Sequence, residues 1–196
     1  MKSMPILILD VSHLAYRALY TTGDLSHEGV KTGVVFGLFR DIAHLSELLQ
    51  STRFVWAFDY GYGKRAALSR TYKQNRRKEQ EDPEKREARE VLREQIRWMR
   101  DELLPELGYQ NVFYQEGYEA DDVIARVCLD LPEGEQAIIV SRDEDLYQLL
   151  SHGRVTIWDS YKSRELDEDW FRRTYGIGVG QWRDVKALAG CSWWIS

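Results

Sequence analysis

The chain has 196 residues, 43% of them hydrophobic, which fits one globular domain with a sizeable core. No apolar stretch reaches the roughly 20 residues that a membrane-spanning helix needs, so we expect no membrane contact. The two cysteines, Cys128 and Cys191, lie far apart in the sequence. This spacing argues against a disulfide framework or a zinc site, and it favours a reducing, cytoplasmic setting.

The net charge of −5 is unevenly distributed along the chain. Between Lys64 and Lys78 there are seven basic residues and no acidic one. Over residues 64–100 there are 13 basic and 7 acidic residues, whereas the rest of the chain holds 14 basic and 25 acidic residues. A basic segment on an acidic body predicts a polyanionic partner and bound cations.

Short buried strands alternate with helices along the chain. In chain order the predicted strands are PILILD, RFVWAFD, NVFYQ, QAIIVS and RVTIWD. The predicted helices cover residues 12–20, 31–49, 82–103, 119–131, 143–150, 167–175 and 179–189. This alternation predicts an α/β fold with a mainly parallel central sheet and helices on both faces.

Carboxylates follow four of the five predicted strands. They are Asp10, Asp59, Glu119, Asp121, Asp122, Asp143 and Asp145. Because the carboxyl ends of parallel strands lie at one edge of a sheet, we expect these side chains to converge there. Each one alone is more simply explained as a helix cap, but all seven at strand ends favour a functional cluster.

A cluster of this kind needs compensating cations, because neighbouring carboxylates raise each other's pKa values. Carboxylate oxygens select Mg²⁺ or Mn²⁺, and such ions also take substrate phosphate as a ligand. Two of them can clamp a phosphoryl group during in-line displacement. The sequence therefore predicts metal-dependent chemistry on a phosphoryl group, with up to two ions bound.

Two motifs make a family recognisable: GYEADDVIA at Gly117–Ala125 and SRDEDLYQLL at Ser141–Leu150. Weaker matches are ILDVSHLAYRALY, AFD, YKQNRR and YGIGVGQWRDVKALAG, in the same order as in the family. Together they resemble the 5′ nuclease family, which includes the 5′–3′ exonuclease domain of bacterial DNA polymerase I, phage exonucleases and flap endonucleases. The resemblance covers nearly the whole chain.

The resemblance implies a PIN-like fold and a nuclease of replication or repair that cuts DNA with 5′ single-stranded ends or flaps. It implies a monomer in the cytoplasm, or in the host cytoplasm if the gene belongs to a phage. Residues 1–189 would form the catalytic domain, with a helical arch at about 60–90. Residues 190–196 would be the truncated start of the family's C-terminal DNA-binding region.

The resemblance also implies the site residues. The seven carboxylates named above would be metal ligands, and Asp10 and Asp59 would be catalytic together with Lys73 and Arg76. Lys73 would place its charge on the scissile phosphate, Arg76 would steer phosphate, and Tyr72 would stack on an unpaired base. The other expected DNA-binding residues are Arg17, Lys64, Arg65, Arg70, Arg77 and Lys78.

One departure from the family concerns residues 190–196, which read GCSWWIS. The family usually continues with aspartates in a pattern like GDxSDN and then a helix–turn–helix that grips duplex DNA. Cys191 and Trp194 stand where those aspartates are expected, and a tryptophan cannot bind Mg²⁺. The departure predicts an impaired second metal site and weak duplex binding.

Three other functions compete with this one. A phosphatase with an aspartate nucleophile needs a second aspartate two residues after the first, but Ser12 holds that place. A PIN-type ribonuclease would generally be shorter and lack a basic segment of this length. A non-catalytic remnant that binds single-stranded nucleic acid is the third alternative, and measurement of Mn²⁺-dependent cleavage separates it from the enzyme.

Overall fold

The computed structural model describes residues 3–60 and 83–189. In these ranges the strands are β1 (Ile6–Asp10), β2 (Ser26–His27), β3 (Val30–Lys31), β4 (Arg53–Ala57), β5 (Val112–Phe113), β6 (Ala137–Val140), β7 (Val155–Asp159) and β8 (Arg164–Leu166). Six of them form one sheet in the order β5-β4-β1-β6-β7-β8. Its neighbours pair in parallel except β8, which is antiparallel to β7. The predicted mainly parallel sheet is confirmed.

Seven helices of the described residues surround or flank this sheet. They are α1 (Val11–Thr22), α2 (Gly33–Leu48), α3 (Pro83–Trp98), α4 (Leu104–Glu106), α5 (Ala120–Leu129), α6 (Glu168–Tyr175) and α7 (Trp182–Ala189). A π-helical turn (Met99–Leu103) joins α3 to α4, and 3₁₀ turns form at Glu144–Leu149 and Val179–Gln181. None of the helices in the described ranges has the length and apolar character needed to cross a membrane.

The central strand β1 separates two hydrophobic cores, because successive side chains of a strand point to opposite faces. Leu7 and Leu9 lie in one core with residues of α1, α2 and α3. Ile8 lies in the other core with residues of α5, α6 and α7. All three side chains are fully buried, as expected for a strand with a continuous apolar sequence and both faces covered. The strand is thereby fixed at the centre, and its last residue, Asp10, is fixed at the carboxyl edge.

The start of α2 is capped from another helix. Thr32 precedes α2 but makes no side-chain capping hydrogen bond. Instead the buried Gln95 of α3 accepts hydrogen bonds from the amides of Val34 at 3.0 Å and Val35 at 3.2 Å. Two otherwise unsatisfied amides at the first turn are thus paired. The helix that follows the basic segment is tied in this way to the core.

Several local features differ from the sequence predictions. The helix expected at 143–150 is a 3₁₀ turn, and β4 ends at Ala57 rather than at Asp59. The hairpin of β2 and β3 and the edge strand β8 were not predicted. The hairpin turns through Glu28 and Gly29, which both have positive φ, as a tight two-residue turn requires. These elements are only two or three residues long, too short for a periodic pattern to reveal.

Candidate active site at the carboxyl edge of the sheet

Asp10 ends β1 and is 6% exposed, so its carboxyl lies beneath the surface of the carboxyl edge. Its Oδ1 accepts a 3.0 Å hydrogen bond from the amide of His13 and caps α1. Its Oδ2 accepts a 2.7 Å hydrogen bond from the hydroxyl of Ser141. The pKa of Asp10 is raised to about 6, because burial and, to a smaller extent, the charges of Asp59 and Asp143 outweigh the two hydrogen bonds that lower it.

Asp59 lies two residues beyond the end of β4 and is exposed. Its Oδ1 accepts a 2.6 Å hydrogen bond from the amide of Ala120, the first residue of α5. The next residue, Tyr60, donates its amide to the carbonyl of Tyr118 and accepts from the amide of Gly117. These bonds hold the end of β4 against the start of α5, and they place Asp59 beside the GYEADD motif.

The three acidic residues of that motif begin α5. Glu119 occupies the N-cap position and is 7% exposed, which is rare for a glutamate. Asp122 Oδ2 accepts a 3.1 Å hydrogen bond from the amide of Glu119. Asp121 lies between them in the first turn and is partly exposed. Asp122 therefore caps the helix, as expected for an acidic residue in the first turn. Glu119 is more deeply buried than a glutamate at a helix start usually is.

Asp143 and Asp145 follow β6. The amide of Asp143 donates to the Ser141 hydroxyl at 3.2 Å, and its Oδ1 accepts from the amide of Asp145 at 2.8 Å. Asp145 Oδ1 lies 3.0 Å from Nζ of Lys186 on α7. Burial lowers the pKa of Lys186, but the hydrogen bond and charge of Asp145 outweigh it and leave the pKa raised. Asp145 is thus paired with a cation in this structure.

The structure therefore brings the predicted carboxylates to one edge, but it does not gather all seven into one cluster. Asp10 lies within electrostatic reach of Asp59 and Asp143. In residues 3–60 and 83–189, no group of three or more His, Cys, Asp or Glu side chains has an arrangement that could hold a metal ion. The donor chemistry of Asp10, Asp59 and Asp143 nevertheless fits a hard divalent cation, because all three offer carboxylate oxygens.

Arg17 is the expected DNA-binding residue that falls within the described ranges. Its guanidinium donates a 3.1 Å hydrogen bond to the carbonyl of Ser160 and lies 3.7 Å from Asp41. With 47% of its side chain exposed, it keeps a cation beside the carboxyl edge. His13 lies nearby, 3.3 Å from the Ser160 hydroxyl, and its pKa is lowered by burial and by the charges of Arg142 and Arg17.

Sequence reasoning missed three residues at this edge. Asp159 ends β7, is 4% exposed, and accepts 3.0 Å hydrogen bonds from the amides of residues 161 and 162. The strand-end pattern that singled out Asp10 also describes Asp159, so this residue could have been found. Ser141 and Lys186 could not, because a buried serine and a helical lysine carry no spacing signal for their partners.

The remaining predicted site residues lie outside the described residues. They are Lys64, Arg65, Arg70, Tyr72, Lys73, Arg76, Arg77 and Lys78, and the same holds for Cys191 and Trp194. Their proposed roles stay predictions.

Relatives of the chain include a 5′-3′ exonuclease and bacterial DNA polymerases I. The chain is 30% identical over 195 residues to the 5′-3′ exonuclease of Buchnera aphidicola subsp. Schizaphis graminum, covering 97% of this chain and 64% of that protein. It is 31% identical over 208 residues to DNA polymerase I of a Synechocystis species, covering 96% of this chain and 20% of the polymerase. The chain therefore spans less than two thirds of the length of these relatives.

The fold is similar to that of the flap endonuclease of bacteriophage T5. A crystal structure of that protein with metal ions gives a TM-score of 0.78 at 20% identity, covering 95% of this chain and 66% of that chain. Another, a complex with DNA and metal ions, gives a TM-score of 0.75 at 20% identity with the same coverage. At this level of identity the similarity establishes the fold.

The family model described as the 5′-3′ exonuclease N-terminal, resolvase-like domain matches residues 5–176. This range runs from the start of β1 to the end of α6 and contains every carboxylate described above. The chain belongs to the 5′-3′ exonuclease family.

Proposed function

We propose that this chain hydrolyses phosphodiester bonds in DNA that has free 5′ ends or 5′ flaps, leaving 5′-phosphate and 3′-hydroxyl ends. The observation that supports it best is the buried Asp10, within electrostatic reach of Asp59 and Asp143, at the carboxyl edge of the sheet of a chain of this family. The family match favours this function over a PIN-type ribonuclease and over a non-catalytic remnant.

We further propose that the reaction depends on Mg²⁺ or Mn²⁺. Structures of the phage T5 relative were solved with metal ions, and carboxylate oxygens suit either cation. Such an ion supplies charge compensation and a water of lowered pKa when bound. The residues that would hold it are Asp10, Asp59, Glu119, Asp121, Asp122, Asp143 and Asp145. A second ion would bind weakly, because Cys191 and Trp194 replace expected aspartates, so activity should be higher with Mn²⁺ than with Mg²⁺.

The chain's own residues would divide the remaining tasks. Asp10 would act as a carboxylate held in place by the Ser141 hydroxyl and the amide of His13. Lys73 would stabilise charge on the scissile phosphate, Arg76 would steer phosphate, and Tyr72 would stack on a base of the unpaired strand. The other basic residues of the segment would bind the DNA backbone through counterion release, so binding should weaken steeply with salt.

The organisation of the protein follows from the same proposal. Residues 1–189 would form the catalytic domain, with an arch at about 60–90 that receives the single strand. We expect a monomer that acts in the cytoplasm, where DNA substrates are found, or in a host's cytoplasm if the gene belongs to a phage.

A substrate panel tests this function directly. The full chain is incubated with Mn²⁺, Mg²⁺ or a chelator and with three labelled substrates of one sequence: a 5′-armed DNA duplex, the blunt duplex, and the armed substrate with an RNA arm. We expect Mn²⁺-dependent cleavage of the DNA arm, slower cleavage of the blunt duplex, and lower turnover in Lys73→Ala with little loss of binding. Metal-independent cleavage, or cleavage of the RNA arm alone, would rule the proposal out.

A further inference from the structure

Two exposed tyrosine rings lie against each other beside the carboxyl edge. Tyr60 and Tyr114 stack with ring centroids 5.5 Å apart and an angle of 25° between the ring planes. Tyr60 is 40% exposed and Tyr114 is 46% exposed, so the pair presents aromatic surface to solvent. Single exposed aromatic residues are common on protein surfaces, so it is the stacking of two of them that calls for an explanation.

A partly buried cation contacts both rings of the pair. The Arg100 guanidinium carbon lies 4.8 Å from the centroid of the Tyr60 ring and 4.5 Å from that of Tyr114, within cation–π range. Only 11% of the Arg100 side chain is exposed, and two of its nitrogens donate to Asp101 at 2.6 and 2.8 Å. Its charge is therefore satisfied, and its position holds the two rings in a fixed arrangement.

The backbone of Tyr60 is held as well. Tyr60 is hydrogen-bonded through both its amide and its carbonyl to residues 117 and 118. Arg100 lies in the π-helical turn Met99–Leu103, an irregular helix form that occurs frequently at functional sites. The rings thus form a rigid surface, called here the tyrosine platform (Tyr60, Tyr114 and Arg100), and a rigid surface loses little entropy when it binds a ligand.

The place of the platform indicates its ligand. Tyr60 directly follows Asp59, and its amide bonds to the carbonyl of the residue that precedes Glu119, so the platform adjoins two of the carboxylates proposed to hold the metal. In the sequence the chain continues from Tyr60 into the run of basic residues between Lys64 and Lys78. A single strand of DNA drawn to positive charge and cut at the carboxylates would pass this point, and unpaired bases stack on exposed aromatic rings without regard to sequence.

We infer that the tyrosine platform is a positioning site that stacks one unpaired nucleobase of the 5′ arm next to the cleavage edge. This inference rests on the proposed function and deepens it, since it specifies single-stranded over duplex DNA at a place separate from Tyr72. Tyr60 and Tyr114 hold the strand in register through the base, and the carboxylates act on the backbone.

An abasic scan tests the inference. Binding of the full chain to a 5′-armed duplex is measured in Ca²⁺, with a series of arms that each lack one base. We expect the parent protein to lose affinity by about tenfold at one position or two adjacent ones, within the range of a single base–aromatic stack. Tyr114→Leu and Tyr60→Leu should bind the intact arm about tenfold more weakly and lose this positional dependence, whereas Tyr114→Phe should retain both.

Trp98→Leu is the matched control, because Trp98 is 42% exposed on the adjoining helix and should leave the positional dependence unchanged. A purely structural role of the tyrosines would weaken binding equally for every arm and would leave the abasic profile intact. That outcome overturns the inference. So does a flat abasic profile in the parent protein, or a profile that Tyr72→Leu abolishes and Tyr114→Leu does not.

Cleavage of the intact substrate in Mn²⁺ distinguishes a failure of the platform inference from a failure of the proposed function. A parent protein that cleaves the arm but shows a flat abasic profile contradicts the platform alone. A parent protein that neither binds nor cleaves contradicts the proposed function, and the platform falls with it.

Discussion

The hydroxyl of Ser141 donates a 2.7 Å hydrogen bond to the carboxylate of Asp10, from the residue after β6 to the last residue of β1. The same hydroxyl oxygen accepts the amide of Asp143 at 3.2 Å. One buried side chain therefore connects two carboxylate-bearing loops. It also stabilises the ionised form of Asp10, which burial disfavours.

Replacing Ser141 by alanine should shift the pH dependence of Mn²⁺ binding. The pKa of Asp10 in the metal-free protein is about 6, and the hydrogen bond from Ser141 is one of the interactions that lower it. Its removal should raise this pKa, and because protons compete with the metal for the carboxylate, the acid limb of the pH–affinity profile should move upward, by about one pH unit for a hydrogen bond to a charged group. Calorimetric titration with Mn²⁺ from pH 5 to 9 gives this limb.

Ser51→Ala is the control for that change. Ser51 is 2% exposed and its hydroxyl donates to the carbonyl of Pro5, but it lies at the opposite end of the sheet. Its loss should lower stability without moving the acid limb. An unmoved acid limb in Ser141→Ala would show that this hydroxyl does not tune Asp10.

Asp10 should make the metal-free protein less stable as the pH rises. Its pKa is raised from 3.8 to about 6, so the unfolded chain releases the proton first, and stability falls between about pH 4 and pH 6. The difference corresponds to at most about 3 kcal/mol. Asp10→Asn removes this titration but keeps a good N-cap, so it should be more stable than the parent at pH 7 and equal to it below pH 4.

Urea unfolding in chelator at both pH values measures this difference. Comparison of the two proteins isolates Asp10 from the other titrating groups. A stability difference that does not change with pH would mean that Asp10 titrates normally in the folded chain.

Gln95→Leu should destabilise the protein through the start of α2. The substitution keeps most of the side-chain volume but removes the oxygen that accepts from the amides of Val34 and Val35. Leaving buried amides unpaired should lower the free energy of unfolding by about 1–3 kcal/mol. The exposed Gln110→Leu is the control, with an expected change within about 0.5 kcal/mol. Equal unfolding midpoints in urea for the two variants would refute the capping role of Gln95.

The strands that bury both faces could be predicted from sequence, because β1, β4 and β6 consist of short apolar runs with a clear end. Their order in the sheet places Asp10 at the centre of the carboxyl edge, as the parallel topology requires. The hairpin near Gly29 and the strand β8 could not be predicted, because two or three residues carry no period.

The acidic residues of the candidate site could be predicted from their places at strand ends, but the side chains that pair with them could not. The spacing of Asp145 gives no hint that Lys186, on a helix 41 residues later, lies 3.0 Å from it. The tyrosine platform was equally hidden, because Tyr60, Arg100 and Tyr114 meet only after three separate segments have folded. Such contacts depend on tertiary packing, which local sequence patterns do not encode.

The central claim is that the carboxylates at this edge form a metal-dependent hydrolytic centre. Its most direct test is the Mn²⁺-dependent rate of 5′-arm cleavage by Asp143→Asn, compared with Asp130→Asn at the far end of α5. Both substitutions remove one acidic charge, and an asparagine at 143 can still accept the amide of Asp145. We expect Asp143→Asn to cleave about a hundredfold or more slowly than the parent, because a bound metal contributes several kcal/mol of charge stabilisation. Asp130→Asn should cleave at the parent rate. Cleavage by Asp143→Asn at the parent rate would contradict the claim.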